Sequence, residues 1–366
     1  MKLKIIFMLL LLFILSLFIF ICIQNDYFKN KILRYDEFNS NFQKQVTIND
    51  EIPTVKFPFK NCYDENRKKL NIIMISAPFR TIEDEQAYEN YKKQGLYFCG
   101  ISSYMNFPDK ILNPHEDLFH IKRNHNYINM VTAWLHCFKI VPPILANSGL
   151  PMDLITEADL KDTDGYYKPN HEINKEYDFM YVCLDEEGDN SKCIYGWQSY
   201  NRNWDLAKLC LTVMCRDFNL KGIIVGRTNC EFTNHCSGIV KTIPLMDFHT
   251  FQKEMQKCRI LFVPNVSDAS PRIMTEAMCY NIPVLTNYNI IGGWHNVISG
   301  VTGEFFTDEN DIIQPLTKII QNYDNYNARE WYCANRGRNN YGKKLAIFLK
   351  QNYPNLNNPN IEIADI

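Results

Sequence analysis

The chain has almost no net charge. Its 39 basic and 41 acidic residues leave −2 over 366 positions. That gives no basis for a nucleic-acid partner or for a generally anionic one. Its 13 cysteines include no C-x2-C pair, so the usual zinc spacing is missing. Most of them sit in apolar runs, such as Tyr181-Val182-Cys183 and Leu209-Cys210-Leu211. The expectation is therefore buried free thiols, no disulfide framework, and a chain kept on a reducing side. One glycosylation sequon occurs, Asn265-Val266-Ser267.

Charge is also missing from Ile5 to Ile23. As a helix this run would span about 28 Å, close to the hydrocarbon core of a bilayer. A cleaved signal peptide has a shorter apolar core and ends at small residues. Here the run passes through Phe18, Phe20 and Cys22 into Gln24 with no A-x-A site. The reading is an uncleaved single-pass anchor behind a four-residue flank, with residues 24–69 as a stem. Lys2 and Lys4 precede the span, and Lys29, Lys31 and Arg34 follow it. That balance leaves the side of the membrane open.

The most informative stretch runs from Cys258 to Phe306. Ile260–Val263 reads as a buried strand ending at Pro264. Ser270-Pro271 then opens a helix, with Ser as cap and Pro at the first helical position. Ile273, Met274, Ala277 and Met278 give it one apolar stripe. Asn281 stands where a left-handed residue would end it. Ile282–Leu285 is a second buried strand, so the unit implies a parallel sheet with a right-handed crossover. Ligands of open α/β sheets bind at the carboxyl ends of such strands. Two acids lie there, Asp268 in the loop and Glu276 in the helix, with seven residues between them. The helix start suits a phosphate, and Gly292-Gly293 allows backbone to come close to a ligand. An ordinary α/β unit with two solvated acids is the plain alternative.

The block resembles the nucleotide-sugar signature of the family 4 glycosyltransferases, which have the GT-B fold. Pro264 fits that pattern, Asp268 stands for its first Glu, and Glu276-Ala277-Met278 supplies the second. Pro283-Val284, Gly292-Gly293, Val297 and Gly303 follow in order. Asn281 replaces the usual Gly, and Asn296 the usual Glu. The resemblance implies a nucleotide diphosphate sugar as donor substrate, with no cofactor, no metal and retention of anomeric configuration. It implies that Glu276 holds the ribose hydroxyls and that Asp268 lies near the donor sugar. Arg202-Asn203-Trp204-Asp205-Leu206 resembles the family's K-G-x-x-L segment, so Arg202 would meet the diphosphate, with Arg227 as a second candidate. Ser270 and Pro271 would border it, with the backbone N–H groups after Ser270 as donors, and the base would lie near Lys241–Leu245. The acceptor is left open as a glycan, a lipid or a protein.

The expected fold is α/β, with two Rossmann-like domains and the N-terminal one reduced. Residues 70–172 would form that acceptor domain, with strands at Leu70–Ala77, Leu96–Ser102 and Met152–Thr156 and helices at Thr81–Gln94 and Asn126–Phe138. Residues 173–345 would form the nucleotide-sugar domain, opening on strand Tyr177–Leu184. A last helix from Glu330 to Gln351 would return to the first domain, and residues 346–366 would include a loose tail. Asp162-Thr163-Asp164 matches the D-x-D metal motif of the GT-A fold, which keeps a metal-dependent alternative. Its polar setting before Gly165 reads instead as a turn. A membrane protein that binds a nucleotide sugar or a partner without transfer is the rival from another class.

Overall fold

The computed structural model describes residues 52–109, 125–186 and 193–366. The anchor at Ile5–Ile23 and most of the stem lie outside them. Among the described residues no helix is long and apolar enough to cross a membrane. Both sheets belong to one compact unit, residues 52–89 and 96–366.

The N-terminal sheet has the order β1-β2-β3-β4-β5. Its strands are β1 (Phe59–Tyr63), β2 (Lys69–Ile75), β3 (Tyr97–Ile101), β4 (Ala133–His136) and β5 (Met152–Leu154). Only β1 runs antiparallel to its neighbour. Residues 59–63, read as stem, are thus an edge strand. The helix expected at Asn126–Phe138 is instead a short 3-10 turn, Tyr127–Met130, followed by β4. Ala133, Trp134 and Leu135 are consecutive and all buried. Burial on both faces is a strand's pattern, and pairing with β3 and β5 overrides the helical spacing.

The C-terminal sheet comprises β6 (Tyr177–Val182), β7 (Gly222–Val225), β8 (Val240–Ile243), β9 (Cys258–Val263), β10 (Val284–Asn287) and β11 (Gly303–Phe306). Its order is β11-β10-β9-β6-β7-β8, and every pair is parallel. Side chains alternate across a strand, so Phe179, Tyr181, Ile260 and Phe262 enter one core. Met180, Leu261 and Val263 enter the other, beneath the helix Arg272–Cys279. That helix ends as expected. Asn281 takes φ 57°, and the N–H groups of Asn281 and Ile282 donate to the Met278 and Ala277 carbonyls at 2.9 and 3.0 Å. Asp247 caps the helix Phe248–Gln256 through two N–H groups.

The last expected helix is two, Ala328–Asn335 and Gly337–Asn352. Gly337 breaks it at φ 76°, where a Cβ would press on the Lys161 carbonyl at 3.3 Å. The second piece bonds to the N-terminal sheet, Lys344 to Asp153 at 2.7 Å and Tyr353 to the Phe98 carbonyl at 2.9 Å. The tail is not loose. Leu356, Ile361 and Ala364 are buried, and Asp365 pairs with Tyr63 at the free edge of β1.

The cysteine expectation is corrected in part. Cys193–Cys230 and Cys215–Cys236 are disulfides, 37 and 21 residues apart in sequence. Spacing could not announce them, because the fold brings their partners together. Cys99, Cys137, Cys183 and Cys258 remain free and buried, and burial pushes the Cys99 thiol up to about 12. Each closed loop should add about 2–4 kcal/mol of stability. Alkylation of the denatured, unreduced protein should leave Cys193, Cys215, Cys230 and Cys236 unlabelled. Labelling of all four would contradict the pairing.

Candidate active site

Counted along the chain, the strand order of the C-terminal sheet reverses between β6 and β9. A crevice opens outside the carboxyl ends of strands at such a point. A cleft of about 430 Å3 lies there, lined by Val182 at the end of β6 and by residues 267–273 and Glu276 after β9. Phe57, Lys60, Ser103, Tyr104 and Glu157 line it from the N-terminal sheet's side.

Asp268 and Glu276 both line this cleft, with Arg202, Ser270 and Pro271. Asp268 is 9% exposed. Its Oδ2 accepts from Asn265 Nδ2 at 3.1 Å and from Arg202 Nη1, and its Oδ1 accepts the Ser270 N–H at 3.2 Å. Arg202 follows the helix Trp197–Asn201. The loop is thus pinned to the preceding crossover by a carboxylate–guanidinium pair. A guanidinium has five donors in a planar fork, so one pair leaves others for a phosphate.

Glu276 has a partner that the sequence did not announce. Lys161 Nζ lies 2.5 Å from its Oε1, and the Tyr167 hydroxyl donates to the same oxygen at 3.3 Å. Both come from the connection between the sheets. Arg272 was missed as well. It lines the cleft at the first turn of its helix and makes no ion pair among the described residues. Its position directly after Ser-Pro was the available signal. Trp197 stacks on Tyr104 at 5.3 Å across the cleft, which no local pattern could have shown.

Several expected roles fall elsewhere. Ser270 does not cap the helix; Pro271 stands at the cap position, and the buried Ser270 hydroxyl lacks a partner among the described residues. Gly292 and Gly293 back the loop from behind. A Cβ on Gly292 would lie 1.8 Å from the Ala269 carbonyl, and one on Gly293 2.5 Å from the Pro271 ring. Neither lines the cleft. Lys241–Leu245 do not line it either, since β8 is the far edge strand; Phe251 does. Asn296, in place of the usual Glu, donates to the fully buried carboxylate of Asp159 at 2.9 Å, beside His295. Burial opposes charge on Asp159, but His295, Asn296 and Thr156 outweigh it and hold the group below its usual range.

Arg227 does not line this cleft. It is 1% exposed and donates to Glu186 at 2.9 Å, to the Ile194 carbonyl at 2.8 Å and to Ser199. Glu186 in turn accepts the N–H groups of Gly196, Gln198 and Ser199, which start the helix leading to Arg202. Asp162 and Asp164 form the expected turn, bonding the Gly165 N–H at 2.9 Å and Asn339 at 2.8 Å. Among the described residues no group of three or more His, Cys, Asp or Glu side chains is placed to hold a metal ion.

No family model and no curated relative matches the chain. Solved structures do. The chain is similar to the lipopolysaccharide outer core galactosyltransferase WaaB in its apo form. Identity is 16% and TM-score 0.47, covering 70% of this chain and 68% of that one. It is similar to HepE of Anabaena in complex with UDP-glucose, at 12% identity and TM-score 0.49, covering 69% and 71%. It is also similar to TarM, at 14% identity and TM-score 0.47, where the match covers 72% of this chain and half of TarM.

Arg227 should therefore act on stability. Breaking a buried pair costs about 3–5 kcal/mol, and Arg227→Met should lose about that in urea unfolding. A variant of unchanged stability that fails to bind nucleotide would return Arg227 to the donor site.

Proposed function

We propose that this chain is a glycosyltransferase of the GT-B kind. It would move a sugar from a nucleotide diphosphate sugar to an acceptor not yet defined, with retention and without a metal. The observation that carries the reading is the convergence of Asp268 and Glu276 with Arg202, 66 residues before Asp268, on one cleft at the sheet's switch point. The acceptor oxygen bonds the anomeric carbon as the bond to the diphosphate breaks; the nucleoside diphosphate leaves with the electron pair, and the acceptor's hydroxyl proton passes to the departing phosphate oxygen. Its growing charge needs preorganised donors. Arg202 and Arg272 are cations at hand, and the Ser270 hydroxyl, without a partner among the described residues, adds a donor. Glu276 takes the ribose and Asp268 the donor sugar. We read Ile5–Ile23 as the membrane anchor. Disulfides persist in oxidising surroundings, which supports a lumenal or outer-face setting for the part that carries the cleft.

One observation favours the silent binding protein: both cleft acids already hold internal cations, Asp268 with Arg202 and Glu276 with Lys161. Donor hydrolysis without acceptor separates the two readings, since only an enzyme releases sugar.

Glu276→Gln should weaken nucleotide binding about ten- to a hundredfold, from the loss of a charged acceptor. Because Lys161 loses its partner, stability should fall by about 1–3 kcal/mol, read in parallel. Asp268→Asn should act mainly on turnover. Wild-type binding and turnover in the Gln variant would overturn the site.

A further inference from the structure

We propose that Lys161, with Tyr167, is the positioning residue that makes the cleft select a ribonucleotide, by holding Glu276 with one oxygen tied back and the other turned out for a cis-diol. The proposal rests on the reading of Glu276 as the ribose ligand.

Both contacts fall on one carboxylate oxygen. Lys161 Nζ and the Tyr167 hydroxyl meet Oε1 at 2.5 and 3.3 Å, and Lys161 Nζ also lies 3.4 Å from the Tyr167 hydroxyl. Among the described residues Oε2 has no partner, on a side chain that lines the cleft. A carboxylate fixed through one oxygen loses its freedom to rotate. The remaining oxygen accepts from two adjacent hydroxyls at once only in a limited range of orientations. Burial, and then the charge of Glu276, push the Tyr167 hydroxyl above its usual value, so it stays a donor.

The holding groups are themselves held. The Lys161 N–H meets the Tyr332 hydroxyl at 3.4 Å, and its carbonyl accepts the Arg338 N–H at 3.0 Å. Tyr332 also donates to the Ala158 carbonyl at 2.6 Å. Arg329 donates to the carbonyls of Tyr167 and Thr163 at 2.9 and 3.0 Å. The same guanidinium bonds the Cys279 carbonyl, on the helix that carries Glu276. Connection and helix therefore form one frame around the carboxylate. Lys161 is 9% exposed, so its ammonium has little water to turn to and stays on Glu276. Pre-orientation of this kind sharpens selectivity, because the ligand does not have to order the group that reads it.

The test is the ratio of affinities for UDP, GDP and ADP, each beside its 2′-deoxy counterpart, by calorimetry on the full chain. A ratio within one variant cancels general loss of stability. Wild type should prefer the ribose form of whichever nucleotide binds by on the order of tenfold, one charged hydrogen bond. In Lys161→Met the ratio should fall below about threefold, and Lys161→Arg should restore it. Tyr167→Phe, which leaves the backbone anchors alone, should lower it by about half and serves where the Met variant does not fold. A Met variant that keeps the tenfold ratio overturns the role of Lys161 and leaves Glu276 as ribose ligand. If Met fails to fold, an unchanged ratio in Phe does the same. A wild type that does not discriminate removes the ribose assignment itself, and this proposal with it.

Discussion

An all-parallel sheet can leave a crevice only where its strand order turns back, and in this chain that point lies between β6 and β9. The constraint decides where the proposed donor-binding residues come from. The loop after β9 brings Asp268, Ser270 and Pro271, and the helix that follows brings Arg272 and Glu276. The crossover after β6 brings Trp197 and Arg202. A carboxylate–guanidinium pair, Asp268 with Arg202, then joins the two crossovers. Without it the loop would lose its strongest tie to the opposite wall.

Behind the cleft lies a layer of groups that touch no ligand and set the shape of the ones that would. Gly292 fits under the Ala269 carbonyl, and Arg227 and Glu186 fix the start of the short helix before Arg202. Asp159 gathers Thr156, His295 and Asn296, and so ties the end of the N-terminal sheet to the segment after the glycine pair. Asn296 thus meets an acid from a distant segment, Asp159, away from the cleft lining.

What was legible in the sequence follows from how local each cause is. The strand–helix–strand unit at 258–285 depends on neighbours along the chain, and its end at Asn281 follows from backbone chemistry alone. The same holds for the Asp247 cap. The helix expected at 126–138 failed because burial on both faces can imitate helical spacing in a short run. Asp268 and Glu276 could be named from their motif, but their partners could not. Lys161 lies 115 residues before Glu276, and Arg202 lies 66 before Asp268. The disulfides and the packed tail were hidden for the same reason. The pairing of Arg227 with Glu186 was hidden too, because a charged residue after a strand looks alike whether it faces a ligand or a buried acid.

Transfer requires one placement, a nucleoside diphosphate lying in the cleft between the two sheets. A crystal structure of residues 52–366 soaked with UDP, GDP or ADP tests it directly. The diphosphate should lie within about 3 Å of the Arg202 guanidinium and the Ser270 hydroxyl, with the ribose hydroxyls on Glu276 Oε2. A nucleotide bound elsewhere, with the cleft empty, would contradict it.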